Sequence, residues 1–99
     1  MKRIYILLFI SFLFSQEKSL ERASSALRAG MFQEALIHIS ESVTKNPKNP
    51  EVYKVKGLLH EALDEKKDAI ISWEKCIKYS KNKRLKKEAQ VHLKNLKID

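Results

Sequence analysis

The chain has 99 residues, with 20 basic against 12 acidic for a formal charge of +8, and only two glycines, two prolines and one cysteine. So little glycine and proline, beside much Leu, Ala, Lys and Glu, excludes an all-β fold and points to an all-α one. One cysteine excludes an internal disulfide framework, and the length holds no more than one small domain.

Residues 1–15 read as a secretory signal. Lys2 and Arg3 precede an apolar run from Ile4 to Ile10, continued by Phe12, Leu13 and Phe14. That run suits a signal core and falls short of the roughly 20 apolar residues of a membrane-spanning helix. Ser15 is small enough to precede a cut, whereas Leu13 is bulkier than the small-x-small pattern prefers. Two fates therefore stay open, cleavage or retention as a short anchor, and a third reading makes the run a buried helix of the fold. No cysteine follows it, so a lipid anchor is not expected. The expected location is exported, periplasmic or cell-envelope.

Five helices are expected after it, over about 17–29, 32–45, 50–63, 66–80 and 84–97. In the first, Leu20, Ala23, Ala26 and Leu27 recur at helical spacing and make one apolar face. Gly30 stops it, suited to the left-handed conformation just past a helix end. The second turns Ala35, Leu36, Ile39, Ser42 and Val43 inward and ends before Asn46-Pro47-Lys48-Asn49-Pro50, where neither proline can donate a backbone N–H. Val52, Tyr53, Val55, Leu59, Ala62 and Leu63 line the third, with Gly57 allowing a neighbouring helix to come close. Asp64-Glu65 replaces the glycine turn as a weaker stop. Ala69, Ile70, Trp73, Cys76 and Ile77 face inward on the fourth, where Cys76 is read as a small buried apolar residue. The fifth carries a narrow stripe of Leu85, Ala89, Leu93 and Leu96.

Sliding the sequence along itself until Ala35 meets Ala69 superposes Ala35-Leu36-Ile37 on Ala69-Ile70-Ile71, Ile39 on Trp73, Ser42 on Cys76, Val43 on Ile77 and Ala23 on Gly57. A fixed period of this length marks a repeat architecture. Residues 16–49 and 50–83 are then two helical hairpins, and 84–99 a capping helix and tail that covers the apolar end of the stack.

Gly30-Met31-Phe32-Gln33-Glu34-Ala35-Leu36, Val43 and Pro47 resemble the second half of a tetratricopeptide repeat, and Tyr53 followed by Gly57 resembles the first half. The sequence departs from that family's pattern at Ser19, Lys56, His60 and Lys81. The resemblance implies an all-α solenoid of two hairpins and a cap, whose concave side, lined by the first helix of each pair, holds a protein or peptide. Carried onto this chain, that groove would be Leu20, Ser24, Leu27, Lys54, Leu58 and Glu61, with His92 from the cap.

No catalytic constellation, metal site or cofactor site is expected. His38, His60 and His92 lack the paired spacing of a zinc site and read as helix-surface or groove residues. Glu61, Glu65, Glu74 and Lys78 read as ordinary helix-surface charges. From Lys78 to Lys87 the chain holds Lys78, Lys81, Lys83, Arg84, Lys86 and Lys87 with no acid between. This stretch is a solvated surface or a patch for anionic lipid headgroups or an acidic partner. Nucleic acid is disfavoured, since only Tyr79 interleaves the lysines. Three functions stay open: a non-catalytic adaptor or scaffold in the cell envelope, a membrane-surface structural protein, and an enzyme accessory or unrelated helical protein. Self-association is compatible with the first, because the groove is short.

Overall fold

The structure, a computed structural model, describes residues 18–98, so the apolar start and its expected signal role lie outside the described residues. Those described form five helices and no strand: α1 over 18–28, α2 (Phe32–Lys45), α3 (Pro50–Ala62), α4 (Lys66–Tyr79) and α5 (Lys83–Leu96). The all-α expectation holds for the described residues, and the end of α1 and both ends of α2 to α5 lie within one residue of the expected bounds. No helix among the described residues is long and apolar enough to cross a membrane.

The period that carries Gly30 onto Asp64 is visible in the backbone itself. At the end of α1, Met31 N–H donates to Ala26 C=O and Gly30 N–H to Leu27 C=O, at 2.8 and 3.1 Å. At the end of α3, Glu65 donates to His60 and Asp64 to Glu61, at 2.8 and 3.0 Å. Both pairs are the nested bonds of a left-handed helix stop, and its central residues are Gly30 (φ 76°) and Asp64 (φ 59°). Asp64 thus takes the glycine conformation at the cost of some backbone strain, which short polar side chains tolerate best. The ends of α2 and α4 match as well: Asn46 donates to Ser42 and Ser80 to Cys76.

The starts of α3 and α5 share a different device. Asn49 accepts from Glu51 N–H, and Asn82 accepts from Arg84 and Leu85 N–H, each satisfying donors that a helix start leaves unpaired. A full period from Asn49 would fall on Lys83, whereas the second cap is Asn82, so α5 begins slightly earlier than the repeat alone predicts.

Two clusters make the core, and α3 belongs to both. Ala23 and Ala26 of α1, Ala35 and Ile39 of α2, and Val52, Val55 and Leu59 of α3 form the first. Tyr53 of α3, Trp73 and Cys76 of α4, and Leu85 and Ala89 of α5 form the second. The inward faces of α2, α4 and α5 are those expected, with Ser72 also buried. Ala62 is a correction. It is exposed at the last turn of α3, as is Arg28, its counterpart at the last turn of α1; the last turn leaves the buried face that Val52, Val55 and Leu59 make.

α3 and α4 come close together at Gly57. A Cβ there would stand 2.8 Å from Cε2 and Nε1 of the Trp73 indole. The repeat explains the pairing: Ala23 and Ile39 occupy the corresponding positions of the first hairpin. A smaller residue on α3 makes room for a larger one on α4. Tyr53 adds a tie from α3 back to the preceding loop, its hydroxyl donating to Pro47 C=O, while its ring lies 5.6 Å from that of Tyr79.

Gly57→Ala should therefore lower stability by about 1–3 kcal/mol, read as a melting temperature reduced by roughly 5–20 °C. An unchanged melting curve would refute the close contact. A second test uses Cys76. Burial, with smaller contributions from Glu51 and Glu88, pushes its thiol up to about 11. The fold favours the protonated thiol, so its contribution is complete below the ordinary thiol range and disappears as pH rises through about 9 to about 11. Up to about 3 kcal/mol of stability should be lost over that window relative to Cys76→Ala, measured by urea titration at both ends. Parallel pH profiles for the two proteins would contradict it.

Candidate functional site

The odd-numbered helices meet one another directly. Leu20, Glu21, Ser24 and Arg28 of α1 and Glu51 and Val55 of α3 enclose an open cleft of about 390 Å³. Between α3 and α5, Lys54 Nζ lies 3.2 Å from Glu88 Oε1, and Glu61 Oε2 lies 2.9 Å from His92 Nδ1. A carboxylate only accepts, so the His92 ring donates from Nδ1.

Glu61 has a second partner. Trp73 Nε1 donates to the same Oε2 at 2.7 Å, and the His92 ring stacks on the indole with centroids 4.2 Å apart and planes inclined by 16°. One carboxylate of α3 thereby fixes a fully buried tryptophan of α4 and a half-buried histidine of α5. The expectation that Glu61 is an ordinary surface charge is corrected. The pairs join residues 12 and 31 positions apart, and helical periodicity carries no information about such partners.

All seven residues expected in the groove, Leu20, Ser24, Leu27, Lys54, Leu58, Glu61 and His92, are intermediate in exposure, neither buried nor free. Leu20 and Ser24 share the α1–α3 cleft. Leu27 leans on the first core cluster and Leu58 on the second. Lys54, Glu61 and His92 take part in the α3–α5 contacts just described. Of the basic stretch, Lys78, Lys81, Lys83, Arg84 and Lys87 are exposed and Lys86 is half-buried. Lys78 Nζ lies over the ring of Tyr79, 5.4 Å from its centroid.

The remaining histidines differ from one another. His60, expected on the surface, is buried at 9% exposure, and its Nδ1 is 3.1 Å from Glu65 Oε1. It closes the α3–α4 turn from inside. His60, Glu65 and Asp68 each offer one ligand atom within 4.8 Å of the others, a cluster that sequence spacing missed because it spans the turn. It sits at the positive end of the α4 dipole beside Lys66 and Lys67, an arrangement that disfavours a cation. His38 lies in a separate open cleft of about 740 Å³ between α1 and α2, whose other walls include Lys18, Arg22, Met31 and Glu34, and its Nδ1 is buried without a partner.

No family model, no curated protein and no solved structure matches the chain.

Removing the shared acceptor should be felt across three helices. Glu61→Ala leaves the Trp73 N–H unpaired and should cost about 1–2 kcal/mol, with a red-shifted tryptophan emission as water reaches the indole. Glu61→Gln keeps an acceptor and should cost less. Equal losses for both variants in urea titration would show that the hydrogen bond is not what matters.

Proposed function

We propose that the chain is a non-catalytic protein-binding module, an adaptor or scaffold of the tetratricopeptide kind, exported to the cell envelope. In this reading the two hairpins and the α5 cap curve so that α1, α3 and α5 present one concave face to an extended peptide or a partner helix. The observation that carries it is the partial exposure of the same-face residues on those three helices, from Leu20 and Ser24 to Lys54, Glu61 and His92. A packed core would bury such side chains, and a solvated surface would leave them free. Half-covered aliphatic groups among fixed charges are what a partner's main chain and side chains can complete.

The turn bonds that recur at one period, around Gly30 and again around Asp64, support the repeat reading. They make each hairpin a copy of one unit, and stacked copies bury a shared core while leaving one side of the first helices uncovered. The cleft between α1 and α3 carries both signs of charge, from Glu21, Arg28 and Glu51 around Leu20 and Val55. A peptide mixing polar and aliphatic residues suits it better than a uniformly acidic tail. Two hairpins give a short groove, so the affinity is modest, or a second copy lengthens the surface. Export rests on the apolar residues 4–14, whether they are cut away or kept as an anchor.

A displayed random-peptide library panned on the full chain tests the reading. Peptides selected at high salt should lose at least about tenfold in affinity for Ser24→Tyr, which fills the α1–α3 cleft from a half-exposed position. They should bind normally to Glu74→Ala, altered on the exposed side of α4. Selected peptides that bind both variants alike, or none that survives high salt, would remove the groove from consideration.

A further inference from the structure

The outward side of α5 is a second surface, which the groove does not use. At helical spacing Lys83, Lys87, Val91 and Lys94 fall on one side of α5, opposite the buried Leu85 and Ala89. Val91 is 55% exposed. The one acid of α5, Glu88, is held by Lys54 of α3. Among the described residues no carboxylate pairs with Lys83, Lys87 or Lys94.

The first turns of α2, α3 and α4 each include an acid, Glu34, Glu51 and Asp68, which in α4 offsets Lys66 and Lys67. The first turn of α5 has no acid and holds Lys83, Arg84 and Lys86, cations that oppose the dipole. Folding gains nothing from them there. A side kept only for solubility mixes both signs of charge and hides its aliphatic groups; this one does neither.

We propose that the outward side of α5 is a docking surface for an anionic lipid bilayer. Cations around an exposed aliphatic side chain on one side of a helix are what the boundary between headgroups and acyl chains accepts, with ammonium groups at the phosphates and Val91 entering between them. Nucleic acid fits less well. Aliphatic groups offer nothing to a phosphodiester, and Tyr79, the one aromatic of the basic stretch, packs 5.6 Å from Tyr53 and is only half-exposed, so it makes no free stacking platform. Lys78 and Lys81 extend the positive field from the end of α4, and a screening length of about 8 Å makes docking salt-dependent.

The test uses the full chain with an environment-sensitive fluorophore on Val91→Cys, or on Ile37→Cys as the control on α2. Cys76 is fully buried, so the introduced thiol is labelled selectively. With vesicles containing phosphatidylglycerol the probe at position 91 should shift to the blue, and high salt should reverse the shift. With phosphatidylcholine alone it should not move, and the probe at position 37 should move in neither. Insertion of the apolar residues 4–14 acts on both kinds of vesicle and leaves this contrast intact. Lys83→Gln, Lys87→Gln and Lys94→Gln together should weaken binding about a hundredfold with an unchanged circular dichroism spectrum; these exposed side chains have no core contacts to lose. A probe at position 91 that ignores anionic vesicles, or responds to neutral ones equally, overturns the proposal. So does release from vesicles by an equal phosphate concentration of duplex oligonucleotide, which would make nucleic acid the preferred partner.

Discussion

Trp73 lies in the space that Gly57 leaves open, and three helices are arranged around that fact. The indole is the largest fully buried side chain of the described residues, and α4 can approach α3 only because position 57 has no Cβ. Its N–H, taken out of water, requires an acceptor. Glu61, one turn further along α3, supplies it and at the same time holds His92 of α5 flat against the ring. A hydrophobic contact, a buried hydrogen bond and a second hydrogen bond to the stacked ring are therefore satisfied by one constellation. The position of the cap relative to the second hairpin follows from it.

The two hairpins use one backbone plan with different fillings. Left-handed stops at Gly30 and Asp64 and matching bonds at the ends of α2 and α4 set the same bend twice. Inside, volume is exchanged between partners, with Ala23 beside Ile39 in one cluster and Gly57 against Trp73 near the other. Cores tolerate such exchanges when total volume is kept. The second hairpin also carries polar ties, His60 with Glu65 and Tyr53 with the Pro47 carbonyl, and the position corresponding to His60 in the first is Ala26.

Charge is divided between the two sides of the odd helices. Toward α3, the cap's Glu88 and His92 are matched by Lys54 and Glu61, so that side is neutralised by internal pairs and keeps only partial exposure. Away from the core, α5 leaves its lysines unmatched. The groove reading and the bilayer reading use opposite sides of one helix, and neither requires the other.

The order and ends of the helices are legible in the linear sequence. Gly30 stops α1 and the stretch 46–50 separates α2 from α3 by local backbone chemistry, with Pro50 fitting the first turn of α3, and apolar residues at helical spacing name the inward face of α2, α4 and α5 without reference to neighbours. The repeat period follows from the same local rules applied twice. Asn49 and Asn82 as caps are also within reach, since an asparagine before an amphipathic run is a local signal. What only the tertiary structure decided is which residues meet across helices. By periodicity alone Glu61 is a groove residue and surface charge, His60 is a surface or groove residue and Ala62 is buried; each depends on what the neighbouring helices bring beside it. Periodicity fixes the direction of a side chain about its own axis, but the partner it finds there belongs to another segment, and only packing brings the two together.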